Sequence, residues 1–380
     1  MPDHRPVFRS DIEGLRGVAI LLVVLFHAGV SGLSGGFVGV DVFFVLSGYF
    51  ITGPLVRELT SSGRIDLVDF YWRRALRLLP VLLVVLVCTL AIVSWLYAPI
   101  DRAAVASTAT AVAGSAGNIE FARTSVNYFS SSENPLLHTW SLGVEQQFYL
   151  VWPLLLLLFA FIAARASVVE DVEGSTSRRY AVARGLLIGI ALTGVISFAA
   201  SVWITRTSQS WAFFGLPTRM WEFALGGVMA MLAGERETTP QGRRLATAGV
   251  LQAIGLVAIA IAVEGYDRIV PYPGVAALLP ALGAMLLVAA GSRGAETQIG
   301  RLLRTNWLQW LGRLSYAWYL WHWPLMGLGG VLTPGIGAVG KLAWGAVALV
   351  LAWLTYRFVE KPARDGKLLG VSTEWLPTAA

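Results

Sequence analysis

Lysine is nearly absent from this 380-residue chain: Lys341, Lys361 and Lys367 are the three present, and arginine carries the remaining positive charge. Charge of either sign is scarce. Asp, Glu, Lys and Arg make up 14% of residues and hydrophobic residues 56%, where a soluble domain holds about 25% charged residues. That balance, with a mean hydropathy of +0.65, points to a bilayer as the solvent. The one cysteine, Cys88, excludes an intrachain disulfide; in its apolar run it reads as a small hydrophobe and says little about redox compartment. No Cys/His cluster has metal-ligand spacing, so no metal is expected. No Gly-x-x-x-x-Gly-Lys-Ser/Thr loop occurs, so ATP-driven pumping is not indicated, and no Gly-x-Ser-x-Gly elbow occurs. The net charge is +6, but the basic residues sit in short loops. Membrane topology accounts for them better than a nucleic-acid partner does.

Apolar runs of about 20 residues recur along the chain, the length an α-helix needs to cross a bilayer. They fall near 15–33, 36–56, 79–98, 143–164, 182–204, 218–234, 246–265, 274–291, 314–333 and 338–358. The expected fold is an all-α polytopic membrane protein with about ten transmembrane helices. An eleventh stretch near 103–121 is rich in Ala, Ser, Thr and Gly. If it does not cross, 23 of the 29 Lys and Arg residues fall on the cytoplasmic side and six outside. If it crosses, every later loop switches sides and the bias is lost. The positive-inside rule therefore makes 103–121 re-entrant or interfacial and puts both termini in the cytoplasm. Residues 1–361 read as a single membrane domain and 362–380 as a short cytoplasmic tail.

Polar groups inside such runs are expensive and mark cavities by default. Arg16 and His27 are eleven residues apart, which on a helix returns to the same face about 16 Å further along. Gly32, Gly35 and Gly36 suggest a turn near residue 34, with His27 seven residues before it and Asp41 seven after. That symmetry places Asp41 level with His27. An Asp beside a His is either a general-base arrangement or a buried pair that only joins two helices. Ser47 and Gly48 form a small step in an aromatic run, suited to close approach by another helix or by a thin ligand chain. Arg73, Arg74 and Arg77 follow Phe70-Tyr71-Trp72. Planar guanidinium groups at i and i+3 suit bidentate phosphate binding, and equally suit anchoring on anionic lipid.

The segment from Glu133 to Tyr149 is dense in hydroxyl, amide, carboxylate and indole groups. His138, Ser141 and Glu145 fall at spacings of three and four, and with Trp140 they read as a carbohydrate-facing surface or a polar re-entrant cap. Glu222 near Arg206 and Arg219 is a candidate for the same surface or for a structural ion pair. His322, in the aromatic run Ser315–Pro324, is a further candidate or a packing donor. Glu360-Lys361-Pro362 reads as a helix stop.

Taken in order, these motifs resemble the acyltransferase 3 family of integral membrane acyltransferases. The resemblance rests on Arg16-x10-His27, Gly39-x-Asp41-x-Phe43-Phe44-x-x-Ser47-Gly48, Arg74-x-x-Arg77, Leu137-His138-Thr139-Trp140-Ser141-Leu142 running to Glu145-Gln146-Gln147-Phe148-Tyr149, and Ser315-Tyr316 running to His322-Trp323-Pro324. It spans about residues 8–361. It implies a form without the C-terminal SGNH-type domain found in many members, with transfer completed in the membrane domain. It implies a cytoplasmic acyl-CoA donor, usually acetyl-CoA, as a co-substrate rather than a permanently bound cofactor. It implies an acceptor hydroxyl on a surface polysaccharide, glycan or glycosylated natural product, and a place in the bacterial cytoplasmic membrane. Arg16 and His27 would be required for transfer and Arg74–Arg77 would serve the donor.

The expected site follows. His27, Asp41, Arg16 and Glu145 are catalytic candidates. Arg73, Arg74, Arg77 and Ser47 would hold the donor, and His138, Trp140, Ser141, Glu222 and His322 the acceptor. His27, oriented by Asp41, would act as base, or would carry the acyl group first. A secondary transporter of a sugar or small polar metabolite is the alternative from another class; the clustered arginines and the missing internal repeat count against it.

Overall fold

The computed structural model describes residues 9–128, 134–169, 175–233, 241–292 and 297–366. Among these, all regular structure is helical. The order is α1 (Ser10–Ala28), α2 (Gly39–Ser62), α3 (Leu67–Leu96), α4 (Pro99–Ala113), α5 (Gly117–Arg123), α6 (Trp140–Val169), α7 (Ser175–Thr207), α8 (Gln209–Phe214), α9 (Met220–Leu232), α10 (Gln241–Gly265), α11 (Leu278–Ser292), α12 (Gln298–Leu303), α13 (Asn306–Leu332), α14 (Ala338–Thr355) and α15 (Lys361–Arg364), with a π-turn over Tyr356–Glu360 before the last. Arg5, Glu133, Arg236, Arg293, Lys367 and the rest of the expected tail, 367–380, lie outside the described residues.

Among the described residues, six segments are long and apolar enough to cross a membrane: Gly36–Ser62, Leu67–Leu96, Leu137–Ser167, Arg179–Thr207, Leu245–Gly265 and Ala338–Arg364. Met220–Leu232 and Leu278–Ser292 are shorter apolar helices. Each of the ten apolar runs read from sequence falls on one of α1, α2, α3, α6, α7, α9, α10, α11, α13 and α14. α1 carries Asp11, Glu13 and Arg16 in its first half, and α13 is aromatic rather than aliphatic. The outward faces support a lipid environment. Val250, Ile254, Val257 and Ile261 on α10, and Leu150, Leu154, Leu158 and Phe161 on α6, are exposed at helical spacing. Such apolar stripes are foreign to a monomer in water.

Two boundaries differ from expectation. α3 starts at Leu67, because Asp66 caps it by accepting from the Asp69 amide at 3.0 Å. Arg73, Arg74 and Arg77 therefore lie on α3 itself, ahead of the apolar run that begins near residue 79. The stretch 103–121 is two helices, α4 and α5, broken around Ser115 at φ 58°. α4 has 15 residues and rises about 22 Å, short of a bilayer core of about 30 Å. α5 is pinned to α6 by paired amides: Asn118 Nδ2 donates to Gln147 Oε1 at 3.2 Å, and Gln147 Nε2 donates back to Asn118 Oδ1 at 2.8 Å.

Small residues set the helix pairings, as expected where lipid tails are as apolar as leucine. A Cβ on Gly14 would stand 1.7 Å from the Leu303 carbonyl oxygen, one on Gly17 2.3 Å from that of Leu308, and one on Gly312 1.9 Å from that of Glu13. These contacts seat α1 on α12 and α13. Gly48 on α2 and Gly226 on α9 each leave a Cβ 1.9 Å from the partner's carbonyl oxygen, that of Phe223 and of Val45. α1 runs parallel to α13, since Arg16 meets Ser315 and His27 meets His322. α2 runs parallel to α9, since Asp41 meets Arg219 and Gly53 meets Ala230. Arg9 ties the start of α1 to its neighbours, bonding Asp11, Tyr49 at 3.2 Å and Ser292 at 2.9 Å.

Gly312→Ala is expected to force α1 and α13 apart and lower the melting temperature of the purified protein. Gly327→Ala, with nothing within 4 Å of the added carbon, is expected to be neutral or to stabilise by up to about 1 kcal/mol. Equal melting temperatures for the two variants would contradict the seam.

Candidate functional site

One cavity encloses about 790 Å³ of space, part of it open to the surroundings. It is lined by α1, α2, α3, α6 and α13. Arg16 on α1 and Arg74 and Arg77 on α3 all face it. Arg16 donates to Ser315 Oγ at 2.9 Å and to Glu13 at 3.3 Å. Arg74 lies between two rings, 5.8 Å from the Phe70 centroid and 5.4 Å from that of Tyr149. Among the described residues neither Arg74 nor Arg77 is ion-paired. Two permanent cations facing one half-buried cavity, with no carboxylate at ion-pair distance among the described residues, leave charge available to an anion.

Polar groups continue inward. Ser47 and Tyr149 both donate to Glu145 Oε1. The Tyr316 hydroxyl donates to the Leu78 carbonyl at 2.8 Å, closing the wall beside Arg77. At the far end the Tyr319 hydroxyl donates to the His138 carbonyl at 2.7 Å and so accepts from Ser141 Oγ at 2.7 Å. Ser315, Tyr319 and His322 lie at i, i+4 and i+7 on α13, one face running alongside α1.

His27 lies beyond that end of the cavity, in the last turn of α1, which Gly29 stops at φ 78°. Its Nδ1 is 2.9 Å from His322 Nε2 and its Nε2 is 2.9 Å from the Tyr128 hydroxyl. His322 Nδ1 bonds the Tyr319 carbonyl at 2.6 Å. The Trp323 ring stands edge-on to His27 at 4.6 Å. His322 and His138 are 0% exposed, whereas His27 is half-buried. His138 Nε2 donates to the Leu320 carbonyl at 3.2 Å, and its buried Nδ1 has no hydrogen-bond partner among the described residues.

Several expected neighbours are elsewhere. Asp41 does not touch His27: its Oδ1 accepts from Arg219 Nη1 at 3.0 Å, and Arg219 also bonds Glu222 at 3.0 Å. The turn symmetry failed because a 3₁₀ turn, Gly36–Val38, intervenes before α2, and α2 then packs on α9. A buried carboxylate takes the strongest donor within reach, a guanidinium. Glu222 thus sits in an ion pair, the structural option left open for it. Trp140 belongs to the same unit: Arg219 lies 5.5 Å from its ring, 5.1 Å from Phe213 and 5.2 Å from Tyr272. Neither Trp140 nor Glu222 lines the cavity. Arg73 turns outward onto Asp69. Of the His138, Ser141 and Glu145 face, the cavity takes Ser141 and Glu145, while His138 belongs to the histidine cluster. Gly48 receives helix α9 rather than a ligand chain. Sequence reading missed Tyr128, Tyr149 and Tyr319 as site residues. Tyr149 and Tyr319 sit one helical turn from Glu145 and Ser315; Tyr128 carries no local signal.

A family model described as an acyltransferase domain matches residues 9–357, nearly the whole chain. The chain belongs to the acyltransferase 3 family. It is 29% identical over 366 residues to peptidoglycan O-acetyltransferase OatA of Listeria monocytogenes, covering 93% of this chain and 55% of that protein. It is 33% identical over 365 residues to BcsY of Komagataeibacter xylinus, whose name describes a provisional membrane-bound transacylase, covering 94% and 83%. It is 27% identical over 373 residues to O-acetyltransferase OatA of Staphylococcus aureus, covering 95% and 58%. The chain therefore spans little more than half the length of both OatA proteins. None of these relatives is named as a transporter. No solved structure matches the chain.

Removing the cation from the Asp41–Arg219–Glu222 unit leaves two carboxylates buried together. Arg219→Met is expected to cost about 3–5 kcal/mol, read as lost thermal stability. Adding Asp41→Asn and Glu222→Gln to it should recover part of that loss. A fully stable Arg219→Met protein would contradict the buried triad.

Proposed function

We propose that this member of the family is an O-acyltransferase that moves an acyl group, acetyl in the simplest case, from cytoplasmic acyl-CoA to a hydroxyl of a carbohydrate or glycosylated small molecule. The observation that carries the reading is the pair of unpaired guanidinium groups, Arg74 and Arg77, in one cavity with Arg16. That cavity ends at Tyr319, whose carbonyl holds His322, which holds His27. The phosphates of CoA suit the arginines, by charge-assisted and bidentate hydrogen bonds. The pantetheine arm would run past Ser47 and Glu145 toward Ser141 and Tyr319, and the acceptor would reach the half-buried edge of His27. The peptidoglycan and transacylase names of the relatives support a carbohydrate acceptor and acyl chemistry.

His27 as general base gives a balanced step. The acceptor O–H proton passes to His27, the acceptor oxygen bonds the thioester carbonyl carbon, and a tetrahedral oxyanion forms. The C–S bond then breaks, and the leaving thiolate takes the proton from His27. The products are the ester and free CoA.

The proposed topology has ten crossings, with α4 and α5 interfacial or re-entrant and both termini in the cytoplasm of a bacterial cell. Helix directions support it. α1 and α13 are parallel, as the first and ninth of ten crossings must be; an extra crossing at 103–121 would make them antiparallel. A fluorescent protein fused after residue 380 is expected to glow, and an alkaline phosphatase fused there to be inactive; the reverse would overturn the topology.

His27→Ala is expected to abolish transfer of radiolabel from acetyl-CoA in membranes. Arg74→Ala or Arg77→Ala should raise KM for acetyl-CoA about 10–100-fold, as loss of a charged hydrogen bond of roughly 1.5–3 kcal/mol does. Arg73→Ala, whose partner is Asp69, should leave it nearly unchanged. Full transfer by His27→Ala would sink the base role.

A further inference from the structure

His322 is fully buried, one helical turn beyond Tyr319 on α13. Its Nδ1 is 2.6 Å from the Tyr319 carbonyl oxygen. A carbonyl only accepts, so this nitrogen carries a proton. Its Nε2 is 2.9 Å from His27 Nδ1. Among the described residues no carboxylate bonds either ring, so nothing in contact offsets a charge there. A neutral His322 then presents a lone pair at Nε2, and His27 Nδ1 must donate to it. The lone pair of His27 falls in turn on Nε2, where the Tyr128 hydroxyl donates at 2.9 Å. The four groups point one way: Tyr128 hydroxyl to His27, His27 to His322, His322 to the Tyr319 carbonyl.

We propose that His322 is a positioning residue that fixes the tautomer of His27, holding its proton on Nδ1 and its basic lone pair on Nε2. A histidine side chain in water prefers the opposite form, with Nε2 protonated. That form offers a donor where a base must accept. The His322 contact reverses the preference without a carboxylate, the role that turn symmetry assigned to Asp41 and that Arg219 prevents. The ring geometry serves the same end: the His27 and His322 centroids are 5.1 Å apart with 24° between planes, an edge-to-edge, near-coplanar approach that an in-plane bond between their nitrogens requires, and the Trp323 ring stands edge-on to His27. Tyr128 then marks where the acceptor hydroxyl must arrive, since the acceptor displaces it at Nε2. The inference rests on His27 acting as the base.

The test is nitrogen-15 NMR of histidine-labelled full-length protein in nanodiscs, with His27 assigned through His27→Gln. Long-range proton–nitrogen spectra separate the two tautomers. His27 is expected protonated at Nδ1, and in His322→Ala protonated at Nε2. Turnover with acetyl-CoA should show kcat falling about 10–100-fold in His322→Ala, within what a positioned base contributes, with KM for acetyl-CoA unchanged. His322→Gln, whose amide oxygen can accept from His27, should recover most of kcat. Thermal melting of each variant separates misfolding from chemistry, and the Gln variant keeps the test decisive if the Ala variant unfolds. Wild-type His27 protonated at Nε2, a tautomer unmoved by His322→Ala, or Ala and Gln variants equally impaired would each overturn the proposal. An Nδ1 proton that moves in His322→Ala, in a protein that transfers no acyl group, would uphold the positioning and sink the proposed function instead.

Discussion

The parallel seam between α1 and α13 is the constraint on which the rest of the site depends. Gly17 and Gly312 bring the two backbones so close that no side chain fits between them, and Gly14 does the same for α1 and α12. Held at that distance, one face of α13 reads along one face of α1. Ser315 meets Arg16 at the lower level and His322 meets His27 at the upper. Eleven residues on α1 span about 16 Å and seven on α13 about 10 Å; the longer reach of the Arg16 side chain accommodates the difference. The charged end and the histidine end are thus two levels of one rigid helix pair.

Pairing separates charge neutralised inside the protein from charge left facing a cavity in this bilayer-facing fold. Arg219 is enclosed by Trp140, Phe213 and Tyr272 and neutralised by Asp41 and Glu222. Every obligation of that cation is met inside the protein, and its work is to fasten α2 to α9. Arg9 is similarly satisfied by Asp11. Arg74 and Arg77 are not, and they face space. An unpaired guanidinium in an apolar setting is costly, and an anionic ligand would remove that cost. The histidines follow a third logic: His27 and His322 bond each other, and the Tyr128 hydroxyl and the Tyr319 carbonyl meet their remaining nitrogens, which leaves their proton positions defined by geometry.

Much of this was legible in the chain. Apolar runs of spanning length each became a helix, because a backbone in lipid must satisfy its own hydrogen bonds. The eleven-residue spacing of Arg16 and His27 put both on the face that meets α13. Arg74 and Arg77 at i and i+3 both face the cavity, while Arg73, one position round the helix, turns away. The i+3 and i+4 pattern of His138, Ser141 and Glu145 held for the last two, which share the face toward the cavity. His138 departed because it lies in a 3₁₀ turn before α6, where α-helical periodicity does not apply. Asp41 departed because a hairpin symmetry argument assumes that both helices face each other throughout, and α2 faces α9.

The sequence by itself determined the solvent, the helical class, the family and which polar residues mark the two ends of the candidate site. These are properties of composition and of local period, which neighbours on the same helix express. Tertiary structure decided the partners: that Asp41 belongs to Arg219, that Tyr128 and His322 bracket His27, and that Tyr319 joins the cavity to the histidines. Those pairings cross up to 295 positions of chain. They follow from which glycines let which helices touch, a property of pairs of surfaces that no single stretch of residues contains.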